Sequence, residues 1–270
     1  MKSQTHSGWG LHPRIETRAI CAQQAVDLVN AHADAPLLIQ GARRSYGDAC
    51  LANQVVSTQR LHHLLEFDAE RGLLRCEAGI SLDRLIVFIA PHGFFLPVTP
   101  GTKFPTIGGC IAADVHGKNH HLEGSIGAFV EEIEIFLADK TCVRCSRKER
   151  SDLFWATIGG MGLTGAIYAV TLRLKKIDNT YMRTRTIKTR NFDELCHHFE
   201  QTQQQYTYSV AWIDSLAKGA QLGRGSLILG EHAGAEQAPK SDPFKLHSTD
   251  GPSVPFFFPS ATLNSLTMRL

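Results

Sequence analysis

The order of apolar and polar residues predicts alternating strands and helices along the first part of the chain. Residues 15–20 have the pattern of a short strand, and the apolar positions of residues 22–33 fall near one face of a helix. A compact apolar run at residues 36–40 predicts a further strand. A helix is predicted over residues 81–92, with Ser81 as its capping residue. Strands and helices in this order are typical of an α+β fold.

A β-hairpin is predicted in the middle of the chain. Residues 130–137 alternate imperfectly between apolar and acidic, and residues 142–145 return after a turn. The spacing of Cys142 and Cys145 also occurs in zinc and redox sites. However, side chains three apart on a strand face opposite sides, and no second pair supplies further ligands. We therefore interpret both cysteines as structural and predict no metal site. The remaining predicted elements of this part are strands at 55–58, 73–77 and 166–174 and a helix at 152–157.

After Lys176 the pattern changes to a second α+β unit. Its predicted elements are a strand at 181–189, a helix at 193–205 and strands at 206–213 and 227–229. The chain then becomes rich in Pro, Ser, Gly and Lys, and the Phe triplet at 256–258 needs something to cover it. We expect two domains, a complete one at residues 1–178 and an incomplete one at residues 179–270.

Composition narrows the class of protein. The chain has 270 residues, of which 43% are hydrophobic and 20% charged, so we expect a packed core rather than disorder. A net charge of +2 is too small to indicate nucleic-acid binding. A small molecule is therefore the expected partner. Seven cysteines form an odd, sparse set, and no apolar stretch is long enough to span a membrane. These features predict a reduced, cytoplasmic protein without a transmembrane segment.

Three glycine-rich segments are the best candidates for ligand binding. Residues 41–48 follow a strand and contain two arginines, although a polar turn explains them equally well. In residues 99–121, Thr106 can cap a helix whose unpaired N–H groups would attract an anion, and Gly108 with Gly109 would admit a phosphate. Residues 158–165 suit a ligand contact or a helix end. A cofactor with a diphosphate and a ring system satisfies these features.

One motif is highly specific, the run Asp114-Val-His-Gly-Lys-Asn-His-His121. Further matching residues are Gly8-Trp-Gly10, Gly41, Arg44-Ser-Tyr-Gly-Asp48, Pro100-Gly-Thr102, Gly108-Gly109, Leu153-Phe-Trp-Ala-Thr157, Gly162-Leu-Thr-Gly165 and Tyr206 to Asp214. On these residues the chain resembles flavoproteins of the vanillyl-alcohol oxidase and p-cresol methylhydroxylase (PCMH) type. Within that group it resembles the decaprenylphosphoryl-β-D-ribose oxidase family.

The resemblance implies a PCMH-type FAD-binding domain of two α+β subdomains, followed by an incomplete α+β substrate domain. It implies that His116 and Lys118 are catalytic, near the substrate and the flavin ring, while a base takes the hydroxyl proton and flavin N5 takes a hydride from a sugar C–OH. The implied FAD-binding residues are Gly41, Ala42, Arg43, Arg44, Ser45, Tyr46, Gly47, Asp48, Gly101, Thr102, Thr106, Ile107, Gly108, Gly109, Ala113, Asp114, Val115, His116 and Ile167.

Arg44 distinguishes the chain from covalent members of the superfamily, and the chain departs from its relatives at two further points. Arg44 stands where covalent members have the histidine that bonds the flavin, so we expect non-covalent FAD. Arg43 replaces a small glycine, which crowds the diphosphate side or adds a charge to it. The relatives also continue into a second half of the substrate domain and a C-terminal segment that returns to the flavin with a Tyr and a Lys. We expect that missing part to impair catalysis.

Three functions remain open from the sequence. The first is oxidation of a sugar C–OH, with a polyprenyl-phosphate-linked ribose oxidised at C2 and a role in cell wall biosynthesis. The second is oxidation of an aldonolactone or simple sugar alcohol, and the third is a non-catalytic FAD-binding remnant. The expected partners are a sugar or lipid-linked sugar and a reductase or epimerase subunit. A peripheral position at the inner membrane is compatible with the cytoplasmic prediction.

Overall fold

The computed structural model describes residues 3–30, 38–239 and 241–246, together with the single residues 256, 259, 262, 264, 266 and 267. The predicted helix end at 31–33, the strand start at 36–37 and two of the residues in the Phe triplet lie outside the described residues. The chain divides into two compact units, Met1–Asn179 and Thr180–Leu270.

The first unit combines short strands with short helices. Its strands are β1 (Gln4–Ser7), β2 (Arg14–Cys21), β3 (Leu38–Gln40), β4 (Gln54–Ser57), β5 (Leu64–Asp68), β6 (Leu73–Glu77), β7 (Phe94–Phe95), β8 (Val130–Phe136), β9 (Cys142–Ser146), β10 (Ala166–Arg173) and β11 (Lys175–Lys176). Its α-helices are α1 (Asp27–Asn30), α2 (Leu82–Ile89), α3 (Ile107–Ala112), α4 (His120–Glu123) and α5 (Ser151–Thr157). The predicted α+β fold class is confirmed.

Two sheets form most of the first unit. In the order β1-β2-β4-β3, strands β2 and β3 run parallel to β4, and β1 is antiparallel to β2. The other sheet has the order β5-β6-β10-β8-β9 and is antiparallel throughout. Strands β7 and β11 form a separate pair. Parallel neighbours need a long connection, and the connection from β3 to β4 contains the glycine-rich residues 41–48.

Helices α2, α3 and α5 pack against the five-stranded sheet around one apolar core. Leu74 and Ile133 from the sheet are fully buried there with Leu85 of α2, Ile111 of α3 and Phe154 of α5. Burial of one such side chain stabilises the fold by roughly 1.5–3 kcal/mol. The start of α3 is therefore packed firmly against the five-stranded sheet.

Two predicted elements of this unit are confirmed. The helix predicted over 81–92 is α2 followed by a 3-10 helix at Ala90–His92, where Pro91 has no N–H to continue the α-helical bonding. The predicted hairpin is β8 with β9. Cys142 is exposed and Cys145 is buried, so their thiols face opposite sides of the strand.

The predicted helix over residues 22–33 is wrong at its start. Among the described residues only α1 is helical in this stretch. The carboxylate of Asp27 accepts hydrogen bonds from the backbone N–H groups of Gln23 (2.7 Å) and Gln24 (3.1 Å). This closes a turn before the helix, because an aspartate side chain competes with the helical hydrogen-bonding pattern.

The second unit contains a three-stranded antiparallel sheet with one helix. Its elements are β12 (Met182–Thr189), α6 (Phe192–Thr202), β13 (Tyr208–Ile213) and β14 (Gly225–His232), with the sheet order β12-β14-β13. Asn191 caps α6 by accepting a hydrogen bond from the N–H of Glu194 (2.9 Å). Leu195 packs with Leu227 and Leu229 in a small core. The central strand β14 is longer than the three residues predicted, since it pairs with a neighbour on both sides.

Candidate functional site

The first unit contains a cleft of about 570 Å³ where the three glycine-rich segments meet. The residues that line it are Trp9, Ile39, Gly41, Ala42, Arg43, Arg44, Ser45, Tyr46, Ala49, Cys50, Pro100, Gly101, Thr102, Pro105, Thr106, Gly108, Gly109, Cys110, Ala112, Ala113, Val115, Met161, Gly162, Gly165 and Ile167. Small-molecule sites in proteins have volumes of roughly 300–1,000 Å³. The cleft is thus large enough for a cofactor.

The glycine-rich loop 41–48 lies directly against the start of α3. A Cβ atom on Gly41 would stand 2.3 Å from the hydroxyl oxygen of Thr106. No side chain can be tolerated at that distance, so Gly41 is required by the contact between the two segments. Residues far apart in sequence are therefore adjacent in this cleft.

Thr106 is the N-cap of α3, but the helix start does not present unpaired N–H groups. The first three N–H groups of α3, at residues 107–109, donate to the carbonyls of Ile80 (2.8 Å) and Ala78 (2.8 Å) and to the hydroxyl of Thr106 (3.3 Å). The prediction of an anion site built from these amides is therefore wrong. The segment that contains Ala78 and Ile80 runs beside the helix start and supplies the acceptors.

The loop 41–48 has the backbone donors that the helix start lacks. No protein group among the described residues accepts a hydrogen bond from the backbone amides of residues 42–47. Arg43 (φ 55°) and Gly47 (φ 64°) have left-handed backbone conformations. Loops that mix right- and left-handed residues can direct successive amides to one anion. Among the described residues, the backbone donors left without an acceptor at this end of the cleft therefore belong to this loop and not to the start of α3.

The N-terminal segment holds the outer side of this loop. The N–H of Trp9 donates to the carbonyl of Ser45 (2.8 Å). The guanidinium carbon of Arg44 lies 4.8 Å from the ring centroid of Trp9 and 5.3 Å from that of Phe104. A cation between two aromatic rings is stabilised by both. Arg44 is therefore fixed at the cleft, and its side chain has no group that could bond a flavin covalently.

Gly108 and Gly109 face different environments. A Cβ on Gly108 would lie 2.8 Å from the Cβ of Ala78, so Gly108 is required by the packing of the protein itself. Gly109 is exposed to the cleft, and a Cβ there would meet only the Thr106 hydroxyl, at 3.2 Å. The space beside Gly109 is open, so a flat group could lie close to the backbone there.

The third glycine-rich segment borders the other end of the cleft. A Cβ on Gly162 would have no neighbour within 4 Å, whereas one on Gly165 would stand 2.3 Å from the carbonyl oxygen of Phe136. Gly160 is likewise required by packing, since its Cβ would stand 2.0 Å from the carbonyl oxygen of Ala156. Gly162 has no such close neighbour, but its left-handed backbone (φ 79°) itself favours glycine.

The motif at residues 114–121 is held firmly beside the cleft. The carboxylate of Asp114 accepts hydrogen bonds from the hydroxyl of Ser125 (2.8 Å) and the N–H of Gly127 (3.0 Å). The buried amide of Asn119 donates to the carbonyl of Pro97 (2.7 Å). A Cβ on Gly117 would stand 2.2 Å from the carbonyl oxygen of Thr99, so the two segments touch. This part of the motif serves to fix the loop.

His116 and Lys118 are both exposed on this fixed loop. The ring centroid of His116 lies 4.9 Å from that of His120. Val115, the residue before His116, lines the cleft. The loop thus carries an imidazole and an ammonium group next to the cleft, and both can reach solvent or a ligand.

Cys110 is the only cysteine of α3, and it also borders the cleft. Burial raises the pKa of its thiol to about 12. The thiol is therefore neutral at physiological pH and is a poor nucleophile, since the thiolate is the reactive form. It contributes apolar surface to the cleft.

Comparison with known proteins relates the sequence around this cleft to a cofactor-binding family. The family described as "FAD binding domain" matches residues 21–146, which include the loop 41–48 and all of α3. This region is therefore similar to the FAD-binding domains of PCMH-type flavoproteins. The recognition of a PCMH-type flavoprotein and of its FAD cofactor is therefore confirmed.

The chain is also similar to curated proteins whose names indicate different reactions. It is 35% identical to decaprenylphosphoryl-β-D-ribose oxidase of Mycolicibacterium smegmatis, over 86% of this chain and 52% of that protein. It is 26% identical to human Δ(24)-sterol reductase, over 73% of this chain and 36% of that protein. It is 27% identical to a putative D-arabinono-1,4-lactone oxidase of Neurospora crassa, over 59% of this chain and 29% of that protein. The chain spans at most about half the length of these relatives.

Most residues predicted to bind FAD line the cleft, and six predicted site residues do not. These are Gly47, Asp48, Ile107, Asp114, His116 and Lys118. Ile107 is fully buried in the core, because the first turn of α3 packs on the sheet. Asp114 uses both carboxylate oxygens to fix the loop. For His116 and Lys118 a role toward a ligand stays a prediction.

Several lining residues of the FAD-binding domain were not predicted. They are Trp9, Ile39, Ala49, Cys50, Pro100, Pro105, Cys110, Ala112, Met161, Gly162 and Gly165. Trp9, Pro100, Gly162 and Gly165 could have been found, since they stand in motifs that the resemblance already included. The others are small or apolar, and such residues do not differ in sequence from those of a protein core.

Within the described residues, every helix is too short or too polar to cross a membrane.

Proposed function

We propose that this chain belongs to an FAD-dependent oxidoreductase that oxidises the C–OH group of a sugar, with a polyprenyl-phosphate-linked ribose oxidised at C2. One observation carries the proposal. The match to the ribose oxidase covers 86% of this chain, which is more than the 179 residues of the first unit. The similarity therefore extends beyond the cofactor domain into the unit that is expected to contact the substrate.

An aldonolactone oxidase is a weaker candidate. The match to the lactone oxidase spans 160 residues, which is fewer than the first unit contains. Such a match is explained by a shared FAD domain alone. The match to the sterol reductase covers 73% of this chain, more than the lactone oxidase match does. Its identity is 26%, however, well below the 35% of the ribose oxidase.

FAD would be held by the residues of the 570 Å³ cleft. The backbone amides of residues 42–47 would donate to the diphosphate. Gly109 would let the backbone of α3 approach the cofactor closely. The absence of a nucleophile at position 44 supports non-covalent binding.

The cofactor supplies hydride acceptance, which no protein side chain can provide. This chain would supply the orientation of the alcohol and the transfer of its proton. We assign these roles to His116 and Lys118. The imidazole of His116 would accept the proton of the hydroxyl group, and the ammonium group of Lys118 would donate a hydrogen bond to the sugar.

An anaerobic reduction assay tests the proposed reaction. FAD-loaded protein is mixed with a prenyl-phosphate-linked ribose or with D-arabinono-1,4-lactone, and the absorbance of oxidised flavin is followed. Loss of absorbance with the ribose compound and not with the lactone is the expected result. Loss with the lactone alone would contradict the substrate assignment. Reduction by light but by neither sugar would contradict the enzyme assignment and favour a non-catalytic binding module.

Acid precipitation tests the non-covalent binding of FAD. The yellow colour should remain in the supernatant when the denatured protein is removed. A pellet that stays yellow after washing would contradict the assignment of Arg44. We also propose a partner protein, a reductase that would act on the keto product of this oxidation.

A further inference from the structure

A second cleft, of about 320 Å³, lies on the first unit and shares part of its wall with the FAD cleft. The shared residues are Ala42, Arg43, Arg44 and Thr106. Its other wall includes Arg84, on the first turn of α2, which does not line the FAD cleft. We call this second site the arginine cleft. It is at the lower end of the size range of small-molecule sites.

The arginine cleft has an unbalanced positive charge. Its lining residues include three arginines, Arg43, Arg44 and Arg84, and one acidic residue, Asp83. Among the described residues none of the three arginines forms an ion pair, not even with Asp83. The cleft therefore has a net charge of about +2 from groups that line it.

The polar groups of the cleft are partly preorganised. Arg44 is fixed between two aromatic rings, as described above. The side-chain amide of Gln59 donates to the carbonyl of Gly41 (3.3 Å), which ties one wall to the glycine-rich loop. Ser81 is the N-cap residue of α2, but its hydroxyl makes no capping hydrogen bond and so remains available to a ligand.

We propose that the arginine cleft binds a phosphate group carried by a small molecule, at a site separate from FAD. Guanidinium groups match phosphate oxygens with two parallel hydrogen bonds, and a phosphate monoester has a charge close to −2 at neutral pH. The charge of the ligand would thus balance the charge of the cleft. The cleft is larger than a phosphate and leaves room for the group that carries it.

Calorimetric titration of the FAD-saturated protein tests this site. FAD saturation closes the first cleft to the probes, which are inorganic phosphate and glycerol 3-phosphate. The Arg84→Gln variant changes the arginine cleft alone, and Arg60→Gln is its matched control at an exposed arginine outside both clefts. Binding to the wild type should be weakened about tenfold or more by Arg84→Gln and left unchanged by Arg60→Gln.

Two results would overturn the proposal. One is the absence of phosphate and glycerol 3-phosphate binding to the FAD-saturated wild type. The other is a loss of FAD affinity in Arg84→Gln, because the arginine cleft would then be part of the FAD site. Flavin fluorescence measures that affinity separately, so failure of this site and failure of FAD binding are distinguishable.

Vesicles identify the source of the phosphate group. Phosphatidic acid vesicles are compared with phosphatidylcholine vesicles in a sedimentation assay of the wild type and Arg84→Gln. Glycerol 3-phosphate binding without sedimentation supports a soluble phosphate monoester. Sedimentation with phosphatidic acid that Arg84→Gln removes supports a lipid headgroup at the same site. Sedimentation that is equal for both proteins would contradict a role of the arginine cleft in binding the headgroup.

Discussion

Two adjacent glycines in α3 have different physical reasons to be glycine. Gly108 lies where a methyl group would collide with Ala78, and Gly109 lies where the protein leaves space. Sequence alone does not distinguish them, because both stand in the same run of small residues. The distinction leads to opposite predictions for the same substitution at neighbouring positions.

Replacement of Gly109 by Ala should weaken FAD binding while the protein stays folded. The new methyl group would occupy cleft space beside the cofactor, and we expect the affinity to fall about tenfold or more. In the apo protein the substitution should leave the free energy of unfolding unchanged or raise it by up to about 1 kcal/mol, as expected for Gly to Ala in a helix. Flavin fluorescence titration and urea unfolding measure the two quantities.

Gly108→Ala is the matched control for this substitution. Its Cβ would stand 2.8 Å from the Cβ of Ala78, so we expect destabilisation of about 1–3 kcal/mol from overpacking. If Gly109→Ala loses stability as Gly108→Ala does and keeps its FAD affinity, then Gly109 does not contact the cofactor.

His116 is predicted to act on the proton of the substrate. His116→Gln should slow anaerobic flavin reduction by the prenyl-phosphate-linked ribose by about 10²–10⁴-fold, the usual contribution of a general base. FAD affinity should change little, because the side chain of His116 does not line the FAD cleft. His62→Gln, at a half-buried histidine elsewhere, is the control. Equal reduction rates in all three proteins would exclude His116 as the base.

Residue-level prediction from the sequence succeeded for Thr106 and failed for the amides that follow it. A capping threonine depends on its nearest neighbours, and Thr106 indeed accepts the hydrogen bond of Gly109. The pairing of the next amides depends on carbonyls at positions 78 and 80, which are distant in sequence. No local pattern indicates such an acceptor.

At the scale of elements, strand β6 and helix α3 each contain a buried thiol with a raised pKa. Burial raises the pKa of Cys76 to about 12, with a smaller contribution from the charge of Glu77, and burial raises that of Cys110 to about 12. In the unfolded chain both thiols would lose their protons near pH 9. The folded state then binds more protons than the unfolded state at high pH.

The first unit should therefore lose stability as the pH rises above about 9. The folded pKa exceeds the unfolded pKa, so the stabilisation is complete below the unfolded value and declines from there to the folded value of about 12. Each thiol can contribute a slope of up to about 1.4 kcal/mol per pH unit. Urea unfolding between pH 8 and 11 measures the slope.

The Cys76→Ala/Cys110→Ala variant should show a shallower slope over the same pH range, whatever its stability at pH 8. Cys21→Ala is the control, because Cys21 is exposed and should leave the slope as it is. A slope that is identical in the wild type and the double variant would show that other groups govern stability at high pH.

Elements with strong periodicity could be predicted from the sequence, and those defined by pairing could not. Helix α2 and the β8–β9 hairpin have clear apolar patterns and were found. Strand β1 contains Gln, Thr, His and Ser, and it forms because it pairs with β2. The predicted start of helix 22–33 failed because one side chain, Asp27, supplies a competing hydrogen-bond acceptor.

At the scale of the whole chain, the cofactor could be predicted from the sequence, whereas the substrate could not. Every residue that lines the FAD cleft falls between Trp9 and Ile167, within the first unit. The motifs that identified FAD are local loops, and they could be read directly. No residue of the second unit lines this cleft, and the substrate stays a proposal that rests on the extent of the similarity to the ribose oxidase.

The division into two units predicts that a fragment of residues 1–179 binds FAD as the whole chain does. Each of the cleft segments, with the sheet and helices that support it, is contained in this fragment. We expect the dissociation constants for FAD to agree within about threefold, while flavin reduction by the sugar is lost because the second unit is absent. Fluorescence titration and anaerobic bleaching measure both. Gly109→Ala introduced into the fragment should weaken FAD binding there as it does in the whole chain.

Should the fragment fail to fold by circular dichroism, a protease site inserted between Asn179 and Thr180 allows cleavage after FAD has bound. Release of FAD on that cleavage would show that the second unit is needed to retain the cofactor.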